Sequence, residues 1–168
     1  SLMNSVEFRW MAGILMTGDT KFVSGKDAKI QTAATDGLNE TYNREWMANL
    51  DVEEVKFVVL HEGFHKMFRH LFVWRNLWDD NPQLANIACD VVINTQYLHG
   101  KPGIKFVKGG VHMEEYADAM KWNAKSIFDD LKKKGTGQGA GHDSHDWEAA
   151  RELTPAEAKE LEKQIDAA

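Results

Sequence analysis

The stretch VVLHEGFHKMFRH, residues 58–70, carries three side chains whose types and spacing could bind and use a metal ion. His61 and His65 are four residues apart, so on a helix their imidazoles stand about 40° apart on one face and can reach a single ion. Zn²⁺ accepts neutral imidazole nitrogens as ligands. Glu62 lies beside them and could take a proton from the water that the ion acidifies. This pattern predicts a zinc site that hydrolyses amide bonds.

The residues that flank this motif are apolar around nearly the whole helix. They are Phe57, Val58, Val59, Leu60, Phe64, Met67 and Phe68. An exposed helix would present a polar face, so we expect this helix to be buried. A buried polar side chain without a partner costs about 1–3 kcal/mol, and one metal ion would partner all three motif residues. The alternative, three polar residues on a solvated face, does not fit these apolar surroundings.

The helix that carries the motif should begin at a capping box, in which Asp51 and Glu54 satisfy the first backbone N–H groups. No Pro and only one Gly occur in the following segment, so we predict a helix over residues 52–74. An unbroken helix turns His70 about 180° away from the first motif histidine. The sequence KMFR before His70 has no helix-breaking residue, so we expect His70 to be exposed or paired with a carboxylate rather than to bind the ion.

A zinc site needs a third protein ligand, and the second long helix, predicted over residues 83–97, offers one. Asn86, Asp90 and Asn94 recur every four residues and form one polar stripe on this otherwise apolar helix. Such a stripe must face something polar inside the fold, either a hydrogen-bonded network or the metal. We expect Asp90 to bind the ion, with Asn86 or Asn94 supporting the ligands. His145, in the segment GHDSHDW, is the second choice for the third ligand.

The remaining pattern predicts an α+β fold that is mainly helical, with a small sheet or hairpin. Strand-like residues 28–35 and 38–43 flank Asp36 and Gly37, a pair that tolerates the positive φ of a hairpin turn. Helical spacing predicts three further short helices, at residues 6–16, 113–120 and 126–133. We assign residues 1–134 to one domain and residues 135–168 to a Gly-rich linker and a charged helix, beyond which a partner domain could follow.

Charge and composition restrict the partners and the compartment. The 168 residues carry a net charge of −6, which gives no electrostatic reason to bind nucleic acid or an anionic membrane surface. The first apolar run, residues 10–16, is too short for a membrane span or a signal peptide. The single cysteine, Cys89, lies in an apolar run, which predicts a buried side chain and fits a reducing compartment. We therefore expect a cytoplasmic protein.

Three stretches in succession resemble a known family. They are IQTAATDGLNETYNREWMANLDVEEVKFVVLHEGFHKMFRH, NIACDVVIN and WNAKSIFDDL, which together span residues 30–131. The order of a T-D-G hairpin, a His-Glu helix, an N-I-A-x-D helix and an S-I-F-D-D-L helix is similar to that of the "Putative metallopeptidase domain" of bacteriophage and bacterial proteins, which sometimes precedes a von Willebrand A-like domain.

The resemblance implies a zincin-like arrangement, with the small sheet beside the active-site helix and a carboxylate from the second helix on the metal. By this likeness His61, His65 and Asp90 hold one Zn²⁺ ion, and Glu62 acts as the general base. The strand that precedes the T-D-G turn could hold an extended peptide along its edge. Three polar residues are further candidates for stabilising the charge that develops on the substrate: Tyr97, His99 and His112.

The motif admits three functions. The first is a zinc-dependent peptidase acting on peptides or proteins, because Glu62 occupies the position where hydrolysis needs a carboxylate. The second is a non-catalytic, metal-stabilised module that docks a phage or host protein, and His145 as a fourth ligand would favour it. The third is a structural protein with a vestigial motif and no metal. We favour the peptidase, since Glu62 has no role in a closed structural site.

Overall fold

The structure is a computed structural model that describes residues 8–25 and 29–135, together with Lys159 and Lys163. Its α-helices are α1 (Ala12–Leu15), α2 (Arg44–Met47), α3 (Val52–Met67), α4 (His70–Val73), α5 (Arg75–Asp80), α6 (Pro82–Val91) and α7 (Ala124–Lys134). Its strands are β1 (Thr20–Val23), β2 (Ala33–Thr35) and β3 (Glu40–Asn43). The other described elements are 3₁₀ turns at Arg9–Met11 and Glu114–Tyr116 and a π-helix at Val92–Leu98. The predicted α+β fold, mainly helical with a small sheet, is confirmed.

Most of the predicted linker and final helix, at residues 136–168, lies outside the described residues. Within that segment Lys159 and Lys163 are helical and exposed. Gly135 ends α7 in the left-handed conformation, with φ 70°, that glycine adopts without strain. Over the part of the chain that is described, no helix is both long enough and apolar enough to cross a bilayer.

The sheet has β3 at its centre, with β1 parallel to it on one side and β2 antiparallel to it on the other. Strands β2 and β3 form the predicted hairpin, although β2 begins at Ala33 rather than at residue 28. The turn uses Gly37 at φ 96°, and the Asp36 carboxylate accepts hydrogen bonds from the two backbone N–H groups that follow this glycine. Strand β1 was not predicted, because it has only four residues and most of them are exposed.

Helix α3 begins, as predicted, at a capping box. The Asp51 carboxylate accepts hydrogen bonds from the backbone N–H groups of Glu53 and Glu54, and the Glu54 carboxylate accepts one from the Asp51 backbone. The Lys105 ammonium lies 2.5 Å from the Asp51 carboxylate, and its hydrogen bond lowers the pKa of that carboxyl below the ordinary value. These contacts fix the start of the helix that carries the motif.

The prediction of one unbroken helix over residues 52–74 is wrong. Helix α3 ends at Met67, and Arg69 adopts a left-handed conformation with φ 54° and ψ 36° that stops it. The helix breaks without a glycine or a proline. Arg69 itself adopts the left-handed backbone conformation, which is rare for L-residues. The chain then restarts as α4 and α5, and the break brings His70 back against His65.

The second predicted helix is confirmed, but it changes winding along its length. Asn81 caps α6 by accepting a hydrogen bond from the backbone of Leu84, and Pro82 occupies the first turn. From Val92 to Leu98 the chain continues as a π-helix. Helix α6 packs with α5 and α7 around one buried apolar cluster, and the π-helix packs with α3 and the sheet around the other. Cys89 is buried in the first cluster, as predicted.

The prediction of a helix over residues 113–120 is also wrong. The helical part of this segment is one 3₁₀ turn, Glu114–Tyr116. The Asp118 carboxylate accepts a hydrogen bond from the backbone of Met120 and so starts a separate turn. Helix α7 contains the helix predicted at residues 126–133, and Asn123 caps it by accepting a hydrogen bond from the Ser126 backbone.

Candidate metal centre

Helices α3 and α6 bring His61, His65 and Asp90 together in the interior of the fold. The Nε2 atoms of the two imidazoles are 3.1 Å apart, and Asp90 Oδ1 lies 3.2 Å from His65 Nε2 and 3.6 Å from His61 Nε2. None of the three residues is more than 3% exposed. We call this group the donor cluster; its residues could hold a metal ion.

The spacing of the donor cluster fits one tetrahedral ion. Ligand atoms about 2.0–2.1 Å from a tetrahedral zinc ion lie about 3.3–3.4 Å from one another. The three separations here, 3.1, 3.2 and 3.6 Å, bracket that value. The chemistry of the cluster also suits a cation, because imidazole nitrogens and a carboxylate oxygen are ligand types that Zn²⁺ accepts.

Asn94 fixes the tautomer of His61. The Asn94 side-chain N–H donates a hydrogen bond to the carbonyl of Val111 at 2.9 Å, so its amide oxygen faces His61 Nδ1 at 2.8 Å. That oxygen can only accept, which places the His61 proton on Nδ1 and leaves a lone pair on Nε2. Asn94 therefore holds His61 in the orientation and the protonation state that a metal ligand needs.

His70 lies against the second imidazole, and its burial corrects the prediction of an exposed side chain, while the alternative of a carboxylate partner stays a prediction. His70 is buried, and its Nδ1 atom lies 3.2 Å from His65 Nδ1. A proton on His65 Nδ1, shared with His70, would leave the lone pair of His65 Nε2 directed at the donor cluster. The prediction failed because it assumed an unbroken helix, and nothing in the sequence marks Arg69 as a residue of positive φ.

Glu62, the predicted base, is fully buried on α3, one turn before Lys66. Lys66 is itself 1% exposed, and its ammonium lies 2.7 Å from Glu40 Oε1 and donates a hydrogen bond to the carbonyl of Thr17. The Tyr42 hydroxyl donates to the other oxygen of Glu40 at 2.8 Å. Lys66, Glu40 and Tyr42 thus form a buried polar group, which we call the Lys66 network, between α3 and β3.

The Tyr42 hydroxyl keeps its proton, because burial raises its pKa and the negative charges of Glu40 and Glu62 add to that effect. The charge of Glu62, the predicted base, therefore acts on the Lys66 network. Sequence reasoning missed the network, since Lys and Glu are mostly solvated residues. Its one signal was that Lys66 follows His65 inside an apolar stretch.

A cavity of about 480 Å³ opens at the donor cluster, and Asp90 and Asn94 form part of its wall. Residues 31–32, which lead into β2, and residues 107–111 also line it. Its aromatic side chains are Trp46 and Phe57. A cavity of this size accommodates an ordinary small ligand or a short segment of an extended chain.

The remaining residues predicted to serve the site have different surroundings. Asn86 is half-buried on α6, one turn before the carboxylate of the donor cluster. Tyr97 packs its ring against two phenylalanine rings, with centroids 4.9 and 5.3 Å away, and so contributes to the core. His99 and His112 lie against each other, with ring centroids 4.0 Å apart. His145 is outside the described residues.

Comparison with known proteins gives a family match. The model of the family described as "Putative metallopeptidase domain" matches residues 11–164. The matched segment contains α3, α6 and all three residues of the donor cluster. No curated protein and no solved structure matches the chain.

Proposed function

This chain belongs to the family whose model it matches, and on that premise we propose that it is a zinc-dependent peptidase that hydrolyses peptide bonds. The observation that carries the proposal is the convergence of His61, His65 and Asp90, in a family whose description names a metallopeptidase. These three residues hold the ion, and Glu62 acts as the general base.

The ligand set suits a catalytic ion better than a structural one. Three protein ligands are usual in catalytic zinc sites, whereas structural sites have four, most often with thiolates. Two neutral imidazoles and one carboxylate leave Zn²⁺ with a net charge of about +1, so it remains an effective Lewis acid. Asn94 and His70 support this role by holding both imidazoles with Nε2 toward the ion.

Glu62 carries the proton transfers. When bound, Zn²⁺ acidifies a water molecule and polarises the carbonyl group of the substrate. Glu62 would accept a proton from the water that attacks the carbonyl carbon, and would pass this proton to the amine that leaves when the C–N bond breaks. Because Glu62 is fully buried, bulk solvent has little access to the carboxylate while it holds this proton.

The cavity and the sheet edge supply a place for the substrate chain. Strand β2 lies at one edge of the described sheet, and residues 31–32, just before it, line the cavity. An extended peptide that adds to this edge would make backbone hydrogen bonds and pass beside Asp90. Trp46 and Phe57 offer apolar contacts for its side chains. The substrate is therefore a peptide or an extended segment of a protein.

Cleavage of a diverse peptide library by the full chain, read by mass spectrometry, tests this function. We expect new peptide ends with the zinc-loaded protein, none after the ion is removed with 1,10-phenanthroline, and recovery when zinc is restored. Inhibitors of serine and cysteine proteases should leave the pattern unchanged and so serve as controls. Tight zinc binding without cleavage of any peptide would contradict the peptidase and favour the metal-stabilised binding module.

A further inference from the structure

We propose that His99, His112 and Glu114 form a second site for a transition-metal ion such as Zn²⁺, distinct from the donor cluster. One ligand atom from each residue lies within 4.8 Å of the others, and His112 Nε2 is 3.4 Å from Glu114 Oε2. The rings of His99 and His112 lie against each other, 4.0 Å between centroids. Two imidazoles and one carboxylate are a donor set that zinc and its neighbours in the first transition row accept.

The local backbone places these three side chains together. Met113 is extended, with φ −140° and ψ 98°, so the residues on either side of it, His112 and Glu114, point to the same side. His99 directly follows the π-helix, and its backbone N–H donates a hydrogen bond to the carbonyl of Asn94. The end of the π-helix and the segment around Met113 therefore meet at the proposed site.

His112 is held in place from both sides. The Asn94 side chain donates a hydrogen bond to the carbonyl of Val111 at 2.9 Å, and the Met113 N–H donates one to Thr95 Oγ1 at 3.1 Å. Both Asn94 and Thr95 are buried in the π-helix. A ligand whose backbone is already fixed gives up little conformational freedom when it binds an ion, which favours binding.

The imidazole of His112 also has a nitrogen that its surroundings do not satisfy. Its Nε2 atom is buried and, among the described residues, has no hydrogen-bond partner. A polar atom left in this state costs about 1–3 kcal/mol. The Glu114 carboxylate, at 3.4 Å, is too far for a good hydrogen bond but near enough to share a cation with that nitrogen. Since His99 and Glu114 are exposed, their side chains can rotate toward an ion that enters from solvent.

An ion at this site would link the segment that lines the cavity, through His112, to the end of the π-helix, through His99. Residues 107–111 line the cavity, and His112 follows them directly. Asn94 contacts both His61 and Val111, so the same π-helix residue touches the donor cluster and the segment that the second ion would hold. This inference goes beyond the proposed peptidase function and does not depend on it.

Equilibrium dialysis of the full chain against buffered Zn²⁺, with the metal content read by elemental mass spectrometry, tests the proposal. We expect two ions per wild-type chain at saturation and one ion in His112→Ala. Because His112 is half-buried, Glu114→Gln at an exposed position provides a second variant that leaves the fold intact. Glu114→Gln should lower the affinity for the second ion by about 10–100-fold. Glu115→Gln, a change at the adjacent exposed glutamate, is the matched control and should bind both ions normally.

Two further variants separate this ion from others. His65→Ala should remove the ion of the donor cluster and keep the second ion, and the double variant His142→Ala/His145→Ala should keep both. The donor cluster could also turn out to hold no ion. The wild type would then bind one ion, and His112→Ala would lose it. That result would contradict the proposed function and support the second site. A wild type whose ions all survive His112→Ala and Glu114→Gln, or that loses its second ion only in the His142/His145 variant, would overturn the proposal.

Discussion

Glu62→Gln is expected to lower kcat/KM for peptide hydrolysis by about 10²–10⁴-fold while the zinc content stays at the wild-type level. Glutamine keeps the size and shape of glutamate at this fully buried position, but its amide cannot accept and return the proton. The ligands His61, His65 and Asp90 are unchanged by the substitution. The measurement is steady-state cleavage of a peptide identified from the library, together with elemental analysis of the same protein sample.

Glu53→Gln is the matched control for this prediction. Glu53 lies in the first turn of the same helix and is exposed, so its substitution should leave both cleavage and zinc content unchanged. Full activity in Glu62→Gln would remove Glu62 from the mechanism. Loss of zinc in Glu62→Gln would instead mean that this carboxylate helps to hold the ion.

Glu40→Ala is expected to lower the free energy of unfolding by about 3–5 kcal/mol, because it leaves the Lys66 ammonium buried without its carboxylate. Lys66 is 1% exposed and lies 2.7 Å from Glu40 Oε1, so water cannot readily replace the lost partner. The Tyr42 hydroxyl loses its acceptor in the same variant, which adds to the effect. Urea unfolding of the zinc-free proteins measures the change without a contribution from metal binding.

Two comparisons separate a buried ion pair from a general loss of stability. Asp80→Ala breaks the exposed pair of Asp80 with Lys132 and should change the free energy of unfolding by at most about 1 kcal/mol. The double variant Glu40→Leu/Lys66→Met removes both buried charges and should recover much of the stability lost in Glu40→Ala. A Glu40→Ala protein as stable as Asp80→Ala would show that the Lys66 network contributes little.

The residues of the donor cluster could be named from the sequence because short-range rules govern them. A spacing of four residues places His61 and His65 on one helical face, and the same spacing places Asp90 in a polar stripe with Asn94. The capping box at Asp51 also depends only on residues three apart. These patterns depend on residues that are close together in the sequence, so they can be recognised without knowledge of the packing. The structure has each of them where it was expected.

The parts that were missed depend on contacts between distant segments. Arg69 breaks the motif helix through a backbone conformation that no local residue type announces, and the place of His70 depends on that break. Lys66 and Glu40 look like surface residues until β3 packs on α3, with 25 residues between them in the chain. The π-helix at Val92–Leu98 has the composition of an ordinary buried helix. In each case tertiary packing overrides what local propensity indicates.

The metal content of chains with and without Asp90→Asn, after purification without added zinc or chelator, tests most directly whether His61, His65 and Asp90 hold an ion. Asparagine keeps the shape of the third ligand and removes its charge. In chains that carry His112→Ala, which removes the second proposed ion, we expect about one tightly bound zinc ion, and a loss of about 10-fold or more in zinc affinity when Asp90→Asn is added. A His112→Ala chain purified without metal that gains none at micromolar zinc, or an unchanged affinity when Asp90→Asn is added, would contradict the assignment.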